Sequence, residues 1–407
     1  MERNTNIHTP VYIAGVGIIS PIGNNVAECL QSLESGNAGM GPMKYLSSFY
    51  SGEIPVAEVK MSNDELAAVA GASNKTSRTA LLSMIAAREA LLDADIDNIE
   101  SLRTGFVSAN TVGGMDKTEN FFVDFLKDPQ KGRLRDVVNH ECGKVTEIAA
   151  DALGIRSYIS TISTACSSSA NAIFYGARLI KHNMLDVVIA GGTDSMTKFT
   201  LNGFNTLMIL DRGFCKPFDD NRQGLNLGEG AGYVVLVSQK VADSLSKRAY
   251  CQLSGYANRN DAYHQTASSP DGRGSYAAMS AALQMSGLQP YDIDYINLHG
   301  TGTNNNDLAE GTAVQRLFDP HYPKMSSTKS FTGHTLGASG GVEAVFSALA
   351  IKYGLIYPNL RLQTPMHEFP FKPETSLLKG ESVNHVMSNS FGFGGNCSSL
   401  VFSKIAG

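Results

Sequence analysis

Cysteine is scarce in this sequence, and its cysteines are not grouped. Six cysteines occur in 407 residues, with no Cys-x-x-Cys pair and no regular spacing. A structural zinc site or a disulfide framework needs such grouping, so the pattern argues against both. Ungrouped cysteines are typical of a reducing compartment, and we expect a cytoplasmic protein.

Long apolar runs and an excess of positive charge are also missing. The N-terminal apolar stretch extends only from Val11 to Ile19, too short for a membrane span and without a signal-peptide pattern. The formal net charge is −5, so no overall field attracts nucleic acid. We therefore expect neither a membrane span nor a nucleic-acid partner.

Strand-like and helix-like segments alternate along the chain, with no Pro/Ser-rich linker between them. The predicted strands are Val11–Ile19, Thr104–Ala109, Tyr158–Thr164, Val187–Gly191, Tyr233–Ser238, Cys251–Asn258, Ile293–Leu298, Lys324–Ser326, Asn384–Asn389 and Ser399–Phe402. The predicted helices are Thr79–Ala94, with Leu81, Met84, Ile85 and Leu92 on one face, then Glu141–Leu153, Ser167–His182, Gly274–Ser286, Leu308–Phe318 and Gly341–Tyr353. This alternation predicts an α/β fold with helices on the sheet faces.

One cysteine lies where a predicted strand turns into a helix. A β-branched segment ends at Thr164, helix formers begin at Ala170, and Cys166 stands between them. Free backbone N–H groups at a helix start favour negative charge, which lowers a thiol pKa and improves the nucleophile. Cys166 is therefore a candidate nucleophile, and a small buried hydrophobic residue is the alternative.

Two histidines and a lysine occupy Gly-containing turns further along. His299 begins the run His-Gly-Thr-Gly-Thr, and the run Lys-Ser-Phe-Thr-Gly-His extends from Lys329 to His334. Such turns direct side chains into clefts, where neutral histidines can move protons or stabilise an oxyanion. Each alone could be an ordinary residue, but together with Cys166 they predict a catalytic set.

In combination, these motifs resemble the β-ketoacyl-ACP synthases of the elongating type. The matching motifs are TACSS around Cys166, HGTGT from His299, KSFTGH ending at His334 and NSFGFGGN from Asn389, in the family's order. The resemblance covers nearly the whole chain. Initiating synthases fit less well because they use Cys-His-Asn, and chain-length-factor subunits fit less well because they lack the cysteine.

The resemblance implies a thiolase-like fold of five layers, α-β-α-β-α, built from two duplicated halves. We place these halves at residues 1–250 and 251–407. A faint sign of duplication is visible in the sequence itself, since each half opens with a strand that reaches a glycine, Gly15 and Gly255.

The implied reaction is a decarboxylative Claisen condensation in fatty-acid or type II polyketide elongation. Cys166 would take the acyl chain as a thioester, with its own N–H and that of Phe393 as the oxyanion hole. His299 and His334 would stabilise the enolate left when a malonyl thioester loses CO₂. Lys329 would orient or charge-tune His334, and Phe393 would also gate entry of the extender.

Further positions match family residues with supporting roles. Thr301 and Thr303 match threonines that bind the pantetheine arm, and Phe391 is a further substrate-binding candidate. Glu310 follows Asp307 by three residues on a predicted helix, which puts both carboxylates on one face. The resemblance assigns both a support role and pairs Glu310 with Lys329.

Four positions match residues that hold a monovalent cation in some family members: Asn297, Glu343, Ser388 and Asn389. The resemblance implies no other cofactor, because the substrates arrive on the phosphopantetheine of acyl carrier protein.

The acidic carrier protein should meet a basic patch near the entrance of the site. By resemblance, Lys75 and Arg78 match docking positions, and Lys131, Arg133 and Arg135 are further candidates. Ordinary solvated basic residues are the alternative.

A homodimer is expected, and a heterodimer with a chain-length-factor-like subunit is the other possibility. Residues 110–140, which are rich in phenylalanine, match a region near the dimer interface and the acyl pocket. A helix packed in the core is the alternative for this segment.

Some positions depart from housekeeping elongation synthases. Three serines follow Cys166, Asn396-Cys397 stands where Thr-Asn is common, and Asn304–Asn306 replaces a Pro/Gly-containing stretch. These departures favour a specialised polyene or type II polyketide synthase, with housekeeping fatty-acid elongation as the second choice. A catalytically silent scaffold subunit and a Cys-His acyl hydrolase remain as rival functions.

Overall fold

The computed structural model describes residues 9–97 and 99–405 of the chain. The strands in this part are β1 (Val11–Ile19), β2 (Thr104–Ala109), β3 (Tyr158–Ile162), β4 (Val187–Asp194), β5 (Gly230–Ser238), β6 (Cys251–Asn260), β7 (Tyr295–Asn297), β8 (Lys324–Ser326), β9 (Leu355–Ile356), β10 (Leu378–Lys379), β11 (His385–Gly392) and β12 (Asn396–Ser403).

The α-helices of the described residues are α1 (Val26–Ser35), α2 (Asn63–Ala70), α3 (Arg78–Ala94), α4 (Met115–Lys127), α5 (Cys142–Ala152), α6 (Ser168–Lys181), α7 (Lys198–Thr206), α8 (Gln239–Ala242), α9 (Arg273–Ser286), α10 (Asn304–Phe318), α11 (Lys329–Thr332) and α12 (Ser339–Tyr353). None of these helices is both long and apolar enough to cross a membrane. All six cysteines are free thiols.

Ten strands follow one another in the order β3-β2-β4-β5-β1-β6-β12-β11-β7-β8. Read from its outer edge, each set of five has the same plan: two parallel pairings, then two antiparallel ones. The two sets meet between β1 and β6 through only two residue pairs, Tyr12 with Gln252 and Ile13 with Cys251. The strand order is therefore that of a duplicated unit.

Helices cover both sets of strands in five layers. Helices α3 and α5 pack on the outer face of the first set, and α9 and α10 on the outer side of the second. Between the sets lie α6 and α12, which contact strands of both. Helix α12 is buried from Ser339 to Ile351, as expected of a helix that is apolar on all sides. The predicted thiolase-like layering is confirmed.

Small residues allow α3 to lie directly against β1. A Cβ at Gly15 would stand 2.3 Å from the carbonyl oxygen of Ala90, and one at Gly17 would stand 2.1 Å from that of Ala86. These positions therefore exclude any larger side chain. Leu92, predicted on the buried face of this helix, is instead 73% exposed, so that prediction is wrong.

Residues 110–140 do not form a core-packing helix. Helix α4 in this segment has no buried residue, and the rings of Phe122 and Phe125 are exposed. The core alternative for this segment is therefore wrong, and among residues 9–97 and 99–405 nothing buries the apolar face of α4.

Candidate active site

The turn between β3 and α6 carries Cys166. Strand β3 ends two residues earlier than predicted, at Ile162, and α6 begins at Ser168, so the cysteine precedes the helix. Ala165 has a φ of 53°, a strained value for a residue with a Cβ. Ser168 holds this bend, since its Oγ accepts from the N–H of Thr164 at 2.7 Å and donates to the carbonyl of Ala165 at 2.5 Å.

Burial dominates the ionisation of the thiol. Cys166 is 6% exposed, and this burial raises its pKa to about 11. The ammonium of Lys329 and the backbone N–H groups of Phe393 and Cys166, which face the sulfur, lower the pKa by less. The expectation of a depressed thiol pKa is wrong here, because desolvation outweighs the helix start.

Both predicted histidines reach this cysteine. The Sγ of Cys166 and one ring nitrogen each of His299 and His334 all lie within 4.8 Å of one another. The two imidazole centroids are 5.4 Å apart, with the rings at 89°. His299 follows β7 and His334 follows α11, so strand and helix ends bring the motifs together.

The tautomer of His334 follows from its neighbours. Its Nδ1 accepts the backbone N–H of Leu336 at 3.0 Å, and a backbone N–H can only donate. The proton of the neutral ring therefore lies on Nε2, which is left as a donor. The Oγ of Ser339 lies 3.1 Å from the same Nδ1 and completes its surroundings.

Both rings are neutral. Burial lowers the pKa of His299 and of His334 well below 6.5, and the ammonium of Lys329 lowers both further. Nδ1 of His299 is buried and has no hydrogen-bond partner. Two neutral imidazoles beside a thiol can donate hydrogen bonds without adding positive charge.

Lys329 pairs with Glu343, not with Glu310 as expected. The ammonium of Lys329 hydrogen bonds to Oε1 of Glu343, and both side chains are buried. Burial raises the pKa of Glu343 to about 7, against the opposing effect of Lys329. The buried ion pair places the positive charge of Lys329 close enough to both histidines to affect their ionisation.

Glu310 and Asp307 instead hold the loop that carries His299. Glu310 accepts the backbone N–H groups of His299 at 2.9 Å and Gly300 at 2.8 Å. Asp307 accepts those of Thr301 at 3.0 Å and Gly302 at 3.1 Å. Both carboxylates lie on the same side of α10, as the three-residue spacing predicted, and burial raises the pKa of each.

Cys166 lies between two cavities. One, of about 230 Å³, is lined by both histidines and by Thr301, Thr303 and Phe391. The other, of about 370 Å³, is lined mainly by apolar side chains, among them Val112, Phe199, Leu207 and Leu336. Phe393 and Phe204 line both cavities, and their rings stack at 5.7 Å. The pair therefore forms a shared wall beside the sulfur.

The four residues expected to hold a cation fit it unequally. Nδ2 of Asn297, Oε2 of Glu343 and Oγ of Ser388 are buried atoms without a hydrogen-bond partner. The amide of Asn389 is already used, because its oxygen accepts from Ser399 and its nitrogen donates to Glu310. Oxygen atoms of Glu343 and Ser388 thus suit a cation, whereas the side chain of Asn389 does not.

The two residues expected to dock a carrier protein differ in exposure. Lys75 is exposed. Arg78 is buried and pairs with Glu229 at 2.6 Å, so its assignment to docking is wrong. Of the further candidates, exposed Lys131 and Arg133 each pair with a neighbouring aspartate.

Sequence reasoning missed two residues that shape the site. Phe204 gave no signal, because an aromatic residue in a helix is most often a packing residue. Asp194 ends β4 and accepts from the backbone N–H groups of Thr111, Val112 and Gly337. Its position as a polar residue at the end of a buried strand was the signal available.

Comparisons with known proteins match this geometry. The family models "Beta-ketoacyl synthase, N-terminal domain" and "Beta-ketoacyl synthase, C-terminal domain" match residues 8–242 and 250–363. The chain is 33% identical over 405 residues to the 3-oxoacyl-[acyl-carrier-protein] synthase 2 of Staphylococcus aureus (strain COL), covering 97% of this chain and 98% of that protein. It is also 33% identical, over 414 residues, to the protein of that name from Coxiella burnetii (strain RSA 493 / Nine Mile phase I), covering 97% and 98%.

Two solved structures are similar over nearly their full length. The ishigamide ketosynthase/chain length factor has a TM-score of 0.92 at 26% identity, covering 98% of this chain and 100% of that chain. The ketosynthase ApeO in complex with its chain length factor ApeC, from Xenorhabdus doucetiae, has a TM-score of 0.84 at 29% identity, covering 99% and 100%.

Proposed function

Because this chain belongs to the β-ketoacyl synthase family, we propose roles for its buried residues in the condensation that such acyltransferases perform. The reaction is that of a 3-oxoacyl-[acyl-carrier-protein] synthase, which joins an acyl chain to a malonyl unit with loss of CO₂. The observation that carries the residue roles is the grouping of one thiol and two neutral imidazoles within 4.8 Å of one another, between two cavities.

In the first half-reaction, the sulfur of Cys166 attacks the thioester carbonyl of an acyl carrier protein. The carbonyl oxygen becomes an oxyanion that accepts from the N–H groups of Cys166 and Phe393, which face the sulfur. The bond to the carrier sulfur then breaks. The carrier thiolate leaves and takes up the proton released by the thiol, so that the acyl chain remains on Cys166.

In the second half-reaction, the carboxylate of malonyl thioester leaves as CO₂ and its bonding electrons form an enolate. Nε2–H of His334, and an imidazole N–H of His299, donate to the enolate oxygen. The enolate carbon attacks the acyl carbon, the bond to Cys166 breaks, and the thiolate takes up one proton from solvent. Burial, and after it the positive charge of Lys329 beside both rings, lowers the pKa of each ring, so each is neutral and has one N–H to donate.

The rival functions lack support in this site. A silent scaffold would have no use for an intact set of Cys166, His299 and His334. A Cys-His hydrolase needs a carboxylate or amide that orients its histidine, whereas Nδ1 of His334 accepts a backbone N–H.

Neighbouring residues have supporting roles in this proposal. Thr301 and Thr303, whose hydroxyl oxygens are 2.9 Å apart, line the first cavity and bind the pantetheine arm. The ring centroid of Phe391 lies 5.9 Å from that of His299, and Phe391 also lines the first cavity. Glu310 and Asp307 fix the backbone of the His299 loop.

A structural monovalent cation fits beside this site. Glu343 and Ser388 would hold it through side-chain oxygens, and Asn297 could add only its amide oxygen, which already accepts from Thr328 at 3.3 Å. The side chain of Asn389 is already used. Such an ion would supply charge compensation for Glu343 and no chemistry of its own.

The chain divides near residue 250 in this proposal, into halves at 1–250 and 251–407. The repeated strand order on either side of β1 and β6 supports the division. The first half supplies Cys166, and the second supplies His299, His334 and Phe393. A cytoplasmic location remains our prediction.

We further propose that a second thiolase-fold subunit covers the exposed face formed by α4 and α7. Phe122, Phe125 and Phe199 are exposed there, and Phe199 also lines the apolar cavity. A second copy of this chain and a chain-length-factor-like subunit are both compatible with this face. The carrier protein would approach the other cavity, with Lys75 as one of its contacts.

For the pathway, a specialised polyene or type II polyketide product is our first choice. The two similar structures above each combine a ketosynthase with a chain length factor, which supports this choice. The relatives named 3-oxoacyl-[acyl-carrier-protein] synthase 2 support fatty-acid elongation as the alternative.

The test is condensation with a panel of acyl carrier proteins loaded with saturated, polyene or aryl-primed chains. Malonyl carrier protein is the extender, mass spectrometry identifies products, and Cys166→Ala is the control. We expect Cys166-dependent extension of conjugated chains. Extension of saturated chains alone would move the protein to fatty-acid elongation, and no Cys166-dependent product would contradict the catalytic proposal.

A further inference from the structure

Two unusual positions of the sequence meet behind the active site. Ser167 follows the cysteine, and Asn396 follows the glycine-rich motif that contains Phe393. The Oγ of Ser167 donates to Oδ1 of Asn396 at 2.7 Å. The two residues are 229 positions apart in the sequence, so this bond joins the nucleophile turn to the last strand of the fold.

The Oδ1 atom of Asn396 is a shared hydrogen-bond acceptor, and we call it the hub. Besides Ser167, it accepts from Nδ2 of Asn171 at 2.9 Å and from Nδ2 of Asn258 at 2.6 Å. Its donors therefore come from three places: the turn, helix α6 and strand β6. An amide oxygen has two lone pairs, so the three donors around it leave no acceptor capacity unused.

The other ends of this network reach the cysteine turn itself. Nδ2 of Asn171 also donates to Oγ1 of Thr164 at 2.8 Å. The carbonyl oxygen of Thr164 lies 2.7 Å from the Oγ of Ser167 and shares the single hydrogen of that hydroxyl with Asn396. Thr164 lies two residues before Cys166. The hub thus fixes the residue two positions before the nucleophile and the residue directly after it.

The segment that precedes Asn396 carries the second half of the oxyanion hole. Gly392 lies so close to the turn that a Cβ there would stand 3.0 Å from the carbonyl oxygen of Thr164 and 3.1 Å from the nitrogen of Cys166. The next residue, Phe393, directs its N–H at the sulfur. One N–H donor of the hole therefore belongs to the nucleophile turn and the other to the segment that ends at Asn396.

We propose that Asn396 is a positioning residue that fixes the distance between these two donors, the N–H groups of Cys166 and Phe393. It acts through Ser167, Asn171 and Asn258, and it touches neither substrate nor reacting atoms. This inference rests on the oxyanion hole of the proposed function. Removing one donor from such a hole lowers kcat about 10²- to 10³-fold. Displacing a donor without removing it should lower kcat by a smaller factor.

The test compares two reactions of the same thiol in Asn396→Ala. Acyl transfer and condensation form an oxyanion, whereas alkylation of Cys166 by iodoacetamide does not. We expect kcat for condensation to fall about 10- to 100-fold with little change in KM, while the alkylation rate changes less than about twofold. Ser167→Ala should lower kcat in the same direction, and the double variant should lose less than the product of both losses.

The control is Ser254→Ala, which removes a hydroxyl that links the same two strands, β6 and β12, away from the hub. It should keep the wild-type rates of both reactions. Wild-type condensation by Asn396→Ala would overturn the positioning role and leave the proposed function standing. An equal fall of alkylation and condensation would also overturn it, by showing a general loss of structure. A wild-type protein without Cys166-dependent condensation would overturn both proposals.

Discussion

Burial decides the protonation of single residues in this site. It raises the pKa of Cys166 and lowers the pKa of His299 and His334, so a neutral thiol lies beside two neutral rings. No resting ion pair between cysteine and histidine is formed, unlike in a thiolate-imidazolium site. The thiolate appears only as the thiol gives up its proton during acyl transfer.

The raised pKa predicts how alkylation of Cys166 depends on pH. A pKa of about 11 means that the thiolate fraction, and with it the rate, rises about tenfold per pH unit from pH 7 to 9. The measurement is the iodoacetamide rate at Cys166 by mass spectrometry across this range, with Cys166→Ala as the blank. A plateau below pH 8 would show that the thiol is far more acidic than its burial implies.

Arg78 is expected to stabilise the fold and not to bind the carrier protein. Arg78→Ala leaves the buried carboxylate of Glu229 without its partner, which costs about 3–5 kcal/mol. Lys75→Ala, at an exposed position three residues away, should change stability by less than about 0.5 kcal/mol. Denaturant unfolding of both variants measures the difference, and equal stabilities would contradict the buried pair.

The local sequence predicted where several strands begin and end, but it could not predict which distant side chains pair with one another. Strands β1, β2 and β8 have the predicted bounds. For β1 the reason is a local one, because its apolar run begins after Pro10 and ends before Ser20. Arg78 and Glu229, which form an ion pair, are 151 positions apart in the sequence. Lys329 pairs with Glu343 because of the way in which helices α11 and α12 lie next to each other. The hub at Asn396 was equally hidden, since its donors lie far from it in sequence.

The contact of strand β11 with the cysteine turn gives a prediction at this scale. Gly392→Ala adds a Cβ about 3.1 Å from the nitrogen of Cys166, closer than the turn tolerates. We expect condensation to fall at least about tenfold, because the N–H of Phe393 moves away from the oxyanion. Gly143→Ala, in helix α5 with no atom within 4 Å of its added Cβ, is the matched control and should retain full activity.

At the scale of the molecule, helix α4 has an apolar face that is exposed among the described residues. Phe122, Val123, Phe125 and Leu126 of α4 are all exposed, and such a patch marks an interface more often than a free surface. Its neighbour α7 lines the apolar cavity next to Cys166. Assembly and acyl-chain binding therefore meet at the same face.

The double variant Phe122→Asp, Phe125→Asp tests this face. Two carboxylates there would oppose burial against a partner, so we expect sedimentation velocity to show a dimer for the wild type and a monomer for the variant. Leu92→Asp places the same charge on an exposed leucine at the end of α3 and should not change the mass. A wild-type monomer that becomes a dimer only with a second protein would identify a heterodimer.

The narrow junction of β1 and β6 has one more consequence. Cys166 supplies the thiol and one N–H donor from the half on the β1 side of this junction. The imidazoles of His299 and His334 and the N–H of Phe393 come from the half on the β6 side. A small displacement of one half relative to the other would leave every helix and strand intact, so the circular dichroism spectrum would not change. The same displacement would abolish condensation. The turnover rate therefore measures how well the two halves are aligned. If the chain were cut between β5 and β6, the return of activity would show that the two halves had reassembled.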